Sequence, residues 1–504
     1  MELSRDEWAR DLEIALAAGA PLIWVESDEE QRPLAVIERC CARAGRPVTL
    51  WSCARGLHAL RAPPTVDART QDPLVALDAH ARAEGSTALV LFDLHPFLSQ
   101  ALLVRRVREA RAVLAAHGKT LIFLSPMSCP SPELRAEMDA CVVPPPGPEE
   151  LGGALRAACS DDGASVSSIE QERLVSAARG LRSDAFALAL RRARARFGAI
   201  DARALAEVRR AQSLALRDGA LLELVSSDEG LASVGGLDAL KRWVDLRARA
   251  FSTEARAAGV DAPRGLFLLG VQGGGKSSCA RSIAGRWGLP LLRLDVGRLF
   301  HGVVGASEAN VRRALAQAEA AAPCVLWLDE VARGFSGLQG GGDSGIGARV
   351  FGALLSWLQD RAAPVFVVAT ANDVSATPPE LLRKGRFDEV FFVDLPTRIE
   401  RAEIARIHLA RRRPDAMDLD LDAFAGAAEG FSGAEIEQCV VAALLYAFDE
   451  GRGVSQGDLH RAARETVPLS RSARESLEGI RRWASGRARP ASTLRDGVDT
   501  RVAL

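Results

Sequence analysis

With 504 residues the chain has room for about three domains of ordinary size, and at 48% hydrophobic and 26% charged residues it has the make-up of a soluble globular protein. A net charge of −1 gives the whole chain no electrostatic case for nucleic acid or a membrane surface, and apolar runs such as residues 89–92 fall far short of the ~20 residues of a membrane span. Nine cysteines stand without a C-x-x-C pair, and residues 1–7 carry acids where a secretion signal carries bases, so a reducing, cytoplasmic setting is expected.

The first part reads as alternating elements: an amphipathic helix at 8–17, a strand at 21–25, a helix at 30–44 and a strand at 47–51. A loop rich in Pro and Asp near 62–72 precedes a helix at 73–83. A strand at 88–92 then ends in Asp93, and a helix at 101–116 leads to a strand at 120–124. Short, continuous apolar runs between helices are what a parallel sheet covered on both faces requires, so a doubly wound α/β domain is expected to end near Pro144. Residues 148–224 show helical spacing without strands. Within them 191–210 is strongly basic, either a solvated face or a face for a partner or polyanion. A second α/β unit is expected from Ser233, with strands at 266–269, 291–294, 325–328, 365–369 and 389–393. The chain is then helical to about Thr466, and a final helix at 471–484 and a mobile, Arg-rich tail follow.

Gly270-Val271-Gln272-Gly273-Gly274-Gly275-Lys276-Ser277 fits G-x-x-x-x-G-K-[ST], between an apolar strand and a helix that begins at Ser278. Glycines let the backbone curl so that N–H groups point at phosphate oxygens, and the helix N-terminus adds partial positive charge. Lys276 would neutralise β/γ-phosphate charge and the Ser277 hydroxyl would ligate Mg²⁺. Only four lysines occur (Lys119, Lys241, Lys276, Lys384) in a chain that otherwise uses arginine, so a lysine at this position is informative. The strand at 324–328 runs into Asp329 and Glu330. Asp329 would bind Mg²⁺ through water and Glu330 would orient the attacking water. Asn372, after the next strand, is placed either for the γ-phosphate and lytic water or simply as a turn residue. Arg383 and Arg386, three apart, suit charge stabilisation at a neighbouring subunit's γ-phosphate.

In their order these residues resemble an AAA+ ATPase of the AAA type, over about Gly230 to Thr466. The resemblance implies a P-loop NTPase parallel-sheet module with a helical lid, binding ATP and Mg²⁺, and working as a homo-oligomer, a hexameric ring. It makes Gly270 to Ser278 the Walker A contacts, Asp329-Glu330 the Walker B pair, Asn372 the sensor, and Arg383 and Arg386 the trans-acting arginines. Val234 and Gly235 resemble the segment that meets adenine, Gly433 and Ala434 the start of the lid helix, and His408 the lid histidine or an ordinary helical one. Further stretches, among them Pro378-Pro379-Glu380-Leu381-Leu382, resemble AAA proteins named after a hypothetical chloroplast open reading frame, found in plastids and cyanobacteria. By the same analogy residues 1–147 form a degenerate AAA-like α/β domain without a phosphate loop, and 148–225 a lid-like helical segment and linker. The ATPase large domain would span 226–396, its lid 397–466, and the closing helix and tail 467–504.

Departures matter. Where the family's unfoldases carry a pore-loop aromatic, this sequence has Val303 and Val304, and the glycine-rich stretch 337–347 is either a second pore loop or a connector. The leading expectation is a ring-forming ATPase that remodels a protein or protein complex, with its substrate or adaptor unread. The alternatives are an ATPase stimulated by RNA or DNA, motivated by 191–210 and 481–489, and a nucleotide-gated scaffold with slow turnover.

Overall fold

The computed structural model describes residues 5–60, 63, 65–160, 166–217, 221–226, 230–251, 253–295, 306–331, 344–374, 377–383, 385–414 and 418–493. Outside them lie residues 301–305 of the expected pore loop, 337–343 of the glycine-rich stretch, Lys384 and the tail beyond 493. The chain divides into two compact units, Met1–Ala211 and Gln212–Leu504.

The first unit is built on strands β1 (Leu22–Glu26), β2 (Val48–Ser52), β3 (Gly56–Ala59), β4 (Ala88–Phe92), β5 (Thr120–Ser125) and β6 (Asp139–Val142), in the order β3-β2-β4-β5-β1-β6. All pair in parallel except β3, an antiparallel edge on β2. Successive side chains of a strand face opposite ways. Ile23 and Val25 accordingly enter one buried cluster and Leu22 and Trp24 the other, so helices on both faces are needed and the strand reads as unbroken apolar sequence. Lys119 shows how tightly this unit is finished. It is 2% exposed, and its ammonium donates to the carbonyl oxygens of His80 (3.1 Å), Ala81 (2.7 Å) and Ala83 at the C-terminal end of the helix Pro73–Arg82. Lys119→Met keeps the stem but leaves those carbonyls without their charged donor. A loss of about 2–4 kcal/mol of stability is expected in urea unfolding, and an unchanged midpoint would contradict the assigned role.

The second unit adds β7 (Leu222–Val225), β8 (Gly265–Gly270), β9 (Leu291–Leu294), β10 (Cys324–Leu328), β11 (Val365–Ala371), β12 (Glu389–Val393) and β13 (Arg489–Pro490), in the order β13-β12-β8-β11-β10-β9-β7. Leu266 and Leu268 face one core cluster, Phe267 and Leu269 the other. A separate cluster, with Leu409, Phe424, Ile436 and Leu459 at its centre, holds together the helices Arg398–Arg412, Leu421–Ala427, Gly433–Asp449 and Gln456–Glu465.

Three expectations are corrected here. The stretch read as helical to 224 ends in β7, which pairs antiparallel with β9. Part of the segment read as a mobile tail is built into the sheet: β13 pairs with β12, Ala491 is 1% exposed, and its carbonyl accepts from Leu240 N–H. The closing helix is also broken at Ala473, into Leu469–Ser472 and Arg474–Ala484.

The two sheets share one plan. With β3, β7 and β13 set aside, the first runs β6-β1-β5-β4-β2 and the second β12-β8-β11-β10-β9, so in each the first strand lies between the fifth and the fourth. The chain also bends alike after corresponding strands, at Asp93 (φ 48°) after β4 and at Glu330 (φ 46°) after β10. Asp93 therefore matches Glu330 by backbone, and Phe92 stands at the position of Asp329. Where β8 leads into glycines, β1 leads into Ser27-Asp28-Glu29-Glu30. Glu29 accepts from Ser183 N–H (2.6 Å), at the start of the helix Ser183–Phe197, and from Arg32 Nε (3.1 Å). A carboxylate of the chain itself thus faces that positive helix end.

Candidate nucleotide site

The site lies at the carboxyl ends of β8, β10 and β11, where an open α/β sheet leaves a crevice. After β8 the chain turns through Gly273 (φ 74°) and Gly275 (φ 84°), the latter capping the helix Lys276–Trp287. A Cβ on Gly273 would come within 3.0 Å of both Ala434 Cβ and Ser432 Oγ, so the turn needs glycine for its space as well as its φ. Lys276 is 6% exposed, and its ammonium donates to the carbonyls of Gly270 (2.9 Å) and Val271 (2.6 Å). Burial pulls its pKa down to about 8, against the opposing influence of Cys279, Glu330 and Asp329.

A cavity of about 1310 Å³ opens over this loop. Gln272, Gly273, Gly274, Gly275, Lys276, Ser277 and Ser278 line it, with Asp329, Glu330 and Asn372 opposite. Val234, Gly235, His408, Gly433 and Ala434 line its other wall. Gly270 and Val271 do not line it; they lie behind the loop and hold Lys276 through their carbonyls. Ala434 N–H donates to Gly273 O (3.0 Å), which joins the lid helix to the phosphate loop. His408 sits 3.3 Å from a carboxylate oxygen of Glu437.

The two acids are held from several sides. Asp329 Oδ1 accepts from Thr370 Oγ1 (2.9 Å) and Oδ2 from Arg293 Nη2 (3.3 Å). Glu330 N–H donates to Thr370 Oγ1 (3.0 Å), and its Oε1 accepts from Asn372 Nδ2 (2.9 Å). The arrangement offers an ammonium for phosphate oxygens, a hydroxyl and a carboxylate for a phosphate-bound divalent cation, and a second carboxylate fixed by an amide. Arg383 and Arg386 stand outside the cavity; Arg383 is exposed, and half-buried Arg386 donates to the carbonyl of Glu380. Two contributors were missed from sequence. Thr370 lies two residues before Asn372, on the same side of the alternating strand, and that period was the available signal. Ser492, in the supposed tail, borders the cavity and donates to Glu400 Oε1 (2.6 Å), for which no motif gave warning.

The fold and the cavity together define a P-loop nucleotide-binding module with a helical lid, preceded by a unit of the same strand order. Three stretches match family descriptions: residues 8–142 the "SpoVK-like AAA ATPase, N-terminal domain", 266–395 the "ATPase family associated with various cellular activities (AAA)", and 418–460 the "AAA+ lid domain". The AAA domain-containing protein ycf46 of Pyropia yezoensis is 35% identical over 96% of this chain and 99% of its own length. That of Guillardia theta is 35% identical over 96% of each chain. The chain belongs to the ycf46 group of AAA-domain ATPase-family proteins. A shorter match, 35% identity over 43% of the chain, is to the ATP-dependent zinc metalloprotease FtsH of Acidothermus cellulolyticus, and it covers 33% of that protein.

Proposed function

We propose that this chain is a ring-forming, hexameric ATPase that hydrolyses Mg-ATP in the second unit and uses the energy to remodel a protein or protein complex. The observation that carries the reading is the convergence of Lys276, Ser277, Asp329, Glu330 and Asn372 on one cavity, with Glu330 fixed by Asn372 at 2.9 Å. The residues suit the groups they would hold. The turn at Gly273 has no room for a Cβ, and Ser277 and Asp329 are oxygen donors of the kind Mg²⁺ prefers. Mg²⁺, when bound, supplies neutralisation of the phosphate charge. Lys276 binds the β/γ-phosphates, and Glu330 takes a proton from the attacking water in an orientation that Asn372 sets.

Arg383 and Arg386 stand away from their own subunit's cavity, which favours a site completed by a neighbour. The first unit, with acids where a phosphate cradle would be, is read as a non-hydrolysing module for assembly or partner binding. The basic stretch behind the nucleic-acid alternative is partly engaged internally, Arg192 and Arg196 with Glu207 and Arg203 with Asp201, so the protein-remodelling reading is preferred. Among the described residues no helix is long and apolar enough to cross a membrane. The direct test is ATP affinity and phosphate release with Mg²⁺, for the full chain and for Lys276→Ala. ATP binding with turnover is expected in the former, and affinity weakened at least about tenfold in the latter. Failure of the full chain to bind ATP, or unaltered affinity in the variant, would overturn the reading.

A further inference from the structure

Thr370 touches both acids of the site. It is 1% exposed, near the end of β11. Its oxygen accepts the backbone N–H of Glu330 (3.0 Å), so its single proton is left for Asp329 Oδ1 (2.9 Å). The polarity of the pair is fixed by this: a backbone N–H can only donate, and an ionised carboxylate can only accept. Threonine is stiff about χ1, so the hydroxyl keeps its direction without help from a ligand. What it holds is not at rest by itself. Glu330 has φ 46°, a left-handed conformation that non-glycine residues avoid, and it needs an external contact to persist. The side chain of Glu330 is tied separately, by Asn372 Nδ2.

The first unit provides an internal comparison. Leu91 pairs with Phe123 as Leu328 pairs with Ala369, so one position on, Phe92 and Leu124 stand where Asp329 and Thr370 stand. The unit that lacks the acid lacks the hydroxyl as well, and Pro126 occupies the position of Asn372.

We propose that Thr370 is a positioning residue for hydrolysis: its buried hydroxyl ties the Asp329 carboxylate to the Glu330 backbone, so that the metal-binding acid and the water-activating acid keep one register. The inference rests on the hydrolase reading above. It assigns Thr370 no contact with the nucleotide, so its loss should act on turnover and on the metal and not on nucleotide affinity as such.

The test uses the full chain with Thr370→Val, which keeps the shape and removes the hydroxyl, and Thr370→Ser, which restores it. Phosphate release gives kcat and KM, and a fluorescent ATP analogue gives affinity with and without Mg²⁺. Thr370→Val is expected to lower kcat at least about tenfold and to shrink the Mg²⁺-dependent gain in affinity, with ATP affinity measured without Mg²⁺ held within about twofold. Thr370→Ser should recover most of both. Where valine unfolds the chain, Thr370→Ala, which sets no bulk against the carboxylate, takes its place. Unaltered kcat and unaltered Mg²⁺ dependence in the hydroxyl-free variant would overturn the proposal, as would a serine variant as impaired as valine. If the natural chain binds Mg-ATP without turnover, the hydrolase reading falls. The Mg²⁺ dependence then decides on its own whether the hydroxyl positions Asp329.

Discussion

Glu330→Gln is expected to bind ATP within about threefold of the natural chain while phosphate release falls by about 10²–10⁴. Glutamine keeps the length of the side chain and an oxygen for Asn372 Nδ2, which now donates to Glu330 Oε1 at 2.9 Å. The backbone contact from Glu330 N–H to Thr370 does not depend on the side chain at all. The geometry should therefore survive and only the ability to take a proton should go. That split between binding and turnover is the signature of a base, and it differs from the outcome for Lys276, whose loss acts on affinity. Phosphate release and equilibrium ATP binding on the same preparation check it, and turnover within about threefold of normal would remove Glu330 from the chemistry. The stalled variant is also expected to hold the proposed assembly in the ATP state, so protein or RNA recovered with it bears directly on the choice of substrate class.

The sheet was legible in sequence wherever strands are buried on both faces. Ala88–Phe92, Leu291–Leu294 and Glu389–Val393 fall where the apolar runs place them, because a strand between two helical layers is apolar at nearly every position, with Arg293 and Glu389 the exceptions. The strands that went unread are edges. Asp139–Val142 exposes three of its four residues, Gly56–Ala59 carries His58 half-buried, and Arg489–Pro490 has no apolar signal at all. Half of an edge strand faces solvent, so neither continuity nor a long alternation marks it.

The phosphate loop was legible because its glycines answer to a backbone demand that sequence states outright. Gly273 at φ 74° has Ser432 and Ala434 pressed against it. Thr370 carried no signal beyond its two-residue spacing from Asn372, since a threonine in a strand is ordinary and its partners Asp329 and Glu330 reach it across the sheet. The roles of Ser492 and Glu400 were hidden for a related reason. Their contact spans 92 positions of chain, and no local pattern encodes a bond of that kind.

Arg383→Ala is the second variant expected to abolish turnover, and it tests the shared site itself. Arg383 is exposed at the end of the turn Pro379–Leu382, outside its own subunit's cavity, whereas Arg386 already donates to Glu380 O and its removal would also disturb that turn. Arg383 is therefore the cleaner probe. A guanidinium delivered to a neighbour's γ-phosphate is worth about 10³–10⁵ in rate, so Arg383→Ala should lose turnover on that scale with ATP affinity little changed. Mixing separates a trans role from a local one. In a ring, a subunit with intact Glu330 but no Arg383 beside a Glu330→Gln subunit with intact Arg383 has one complete site between them. Random mixing of equal amounts should place about a quarter of all interfaces in that state, so co-assembled variants should recover about a quarter of natural turnover although each alone is inert. A cis role gives no recovery at any ratio, because every subunit then lacks one essential group. Phosphate release measured against mixing ratio, on co-expressed chains, distinguishes the two: a peak at equal amounts supports the shared site, and a flat line rules it out.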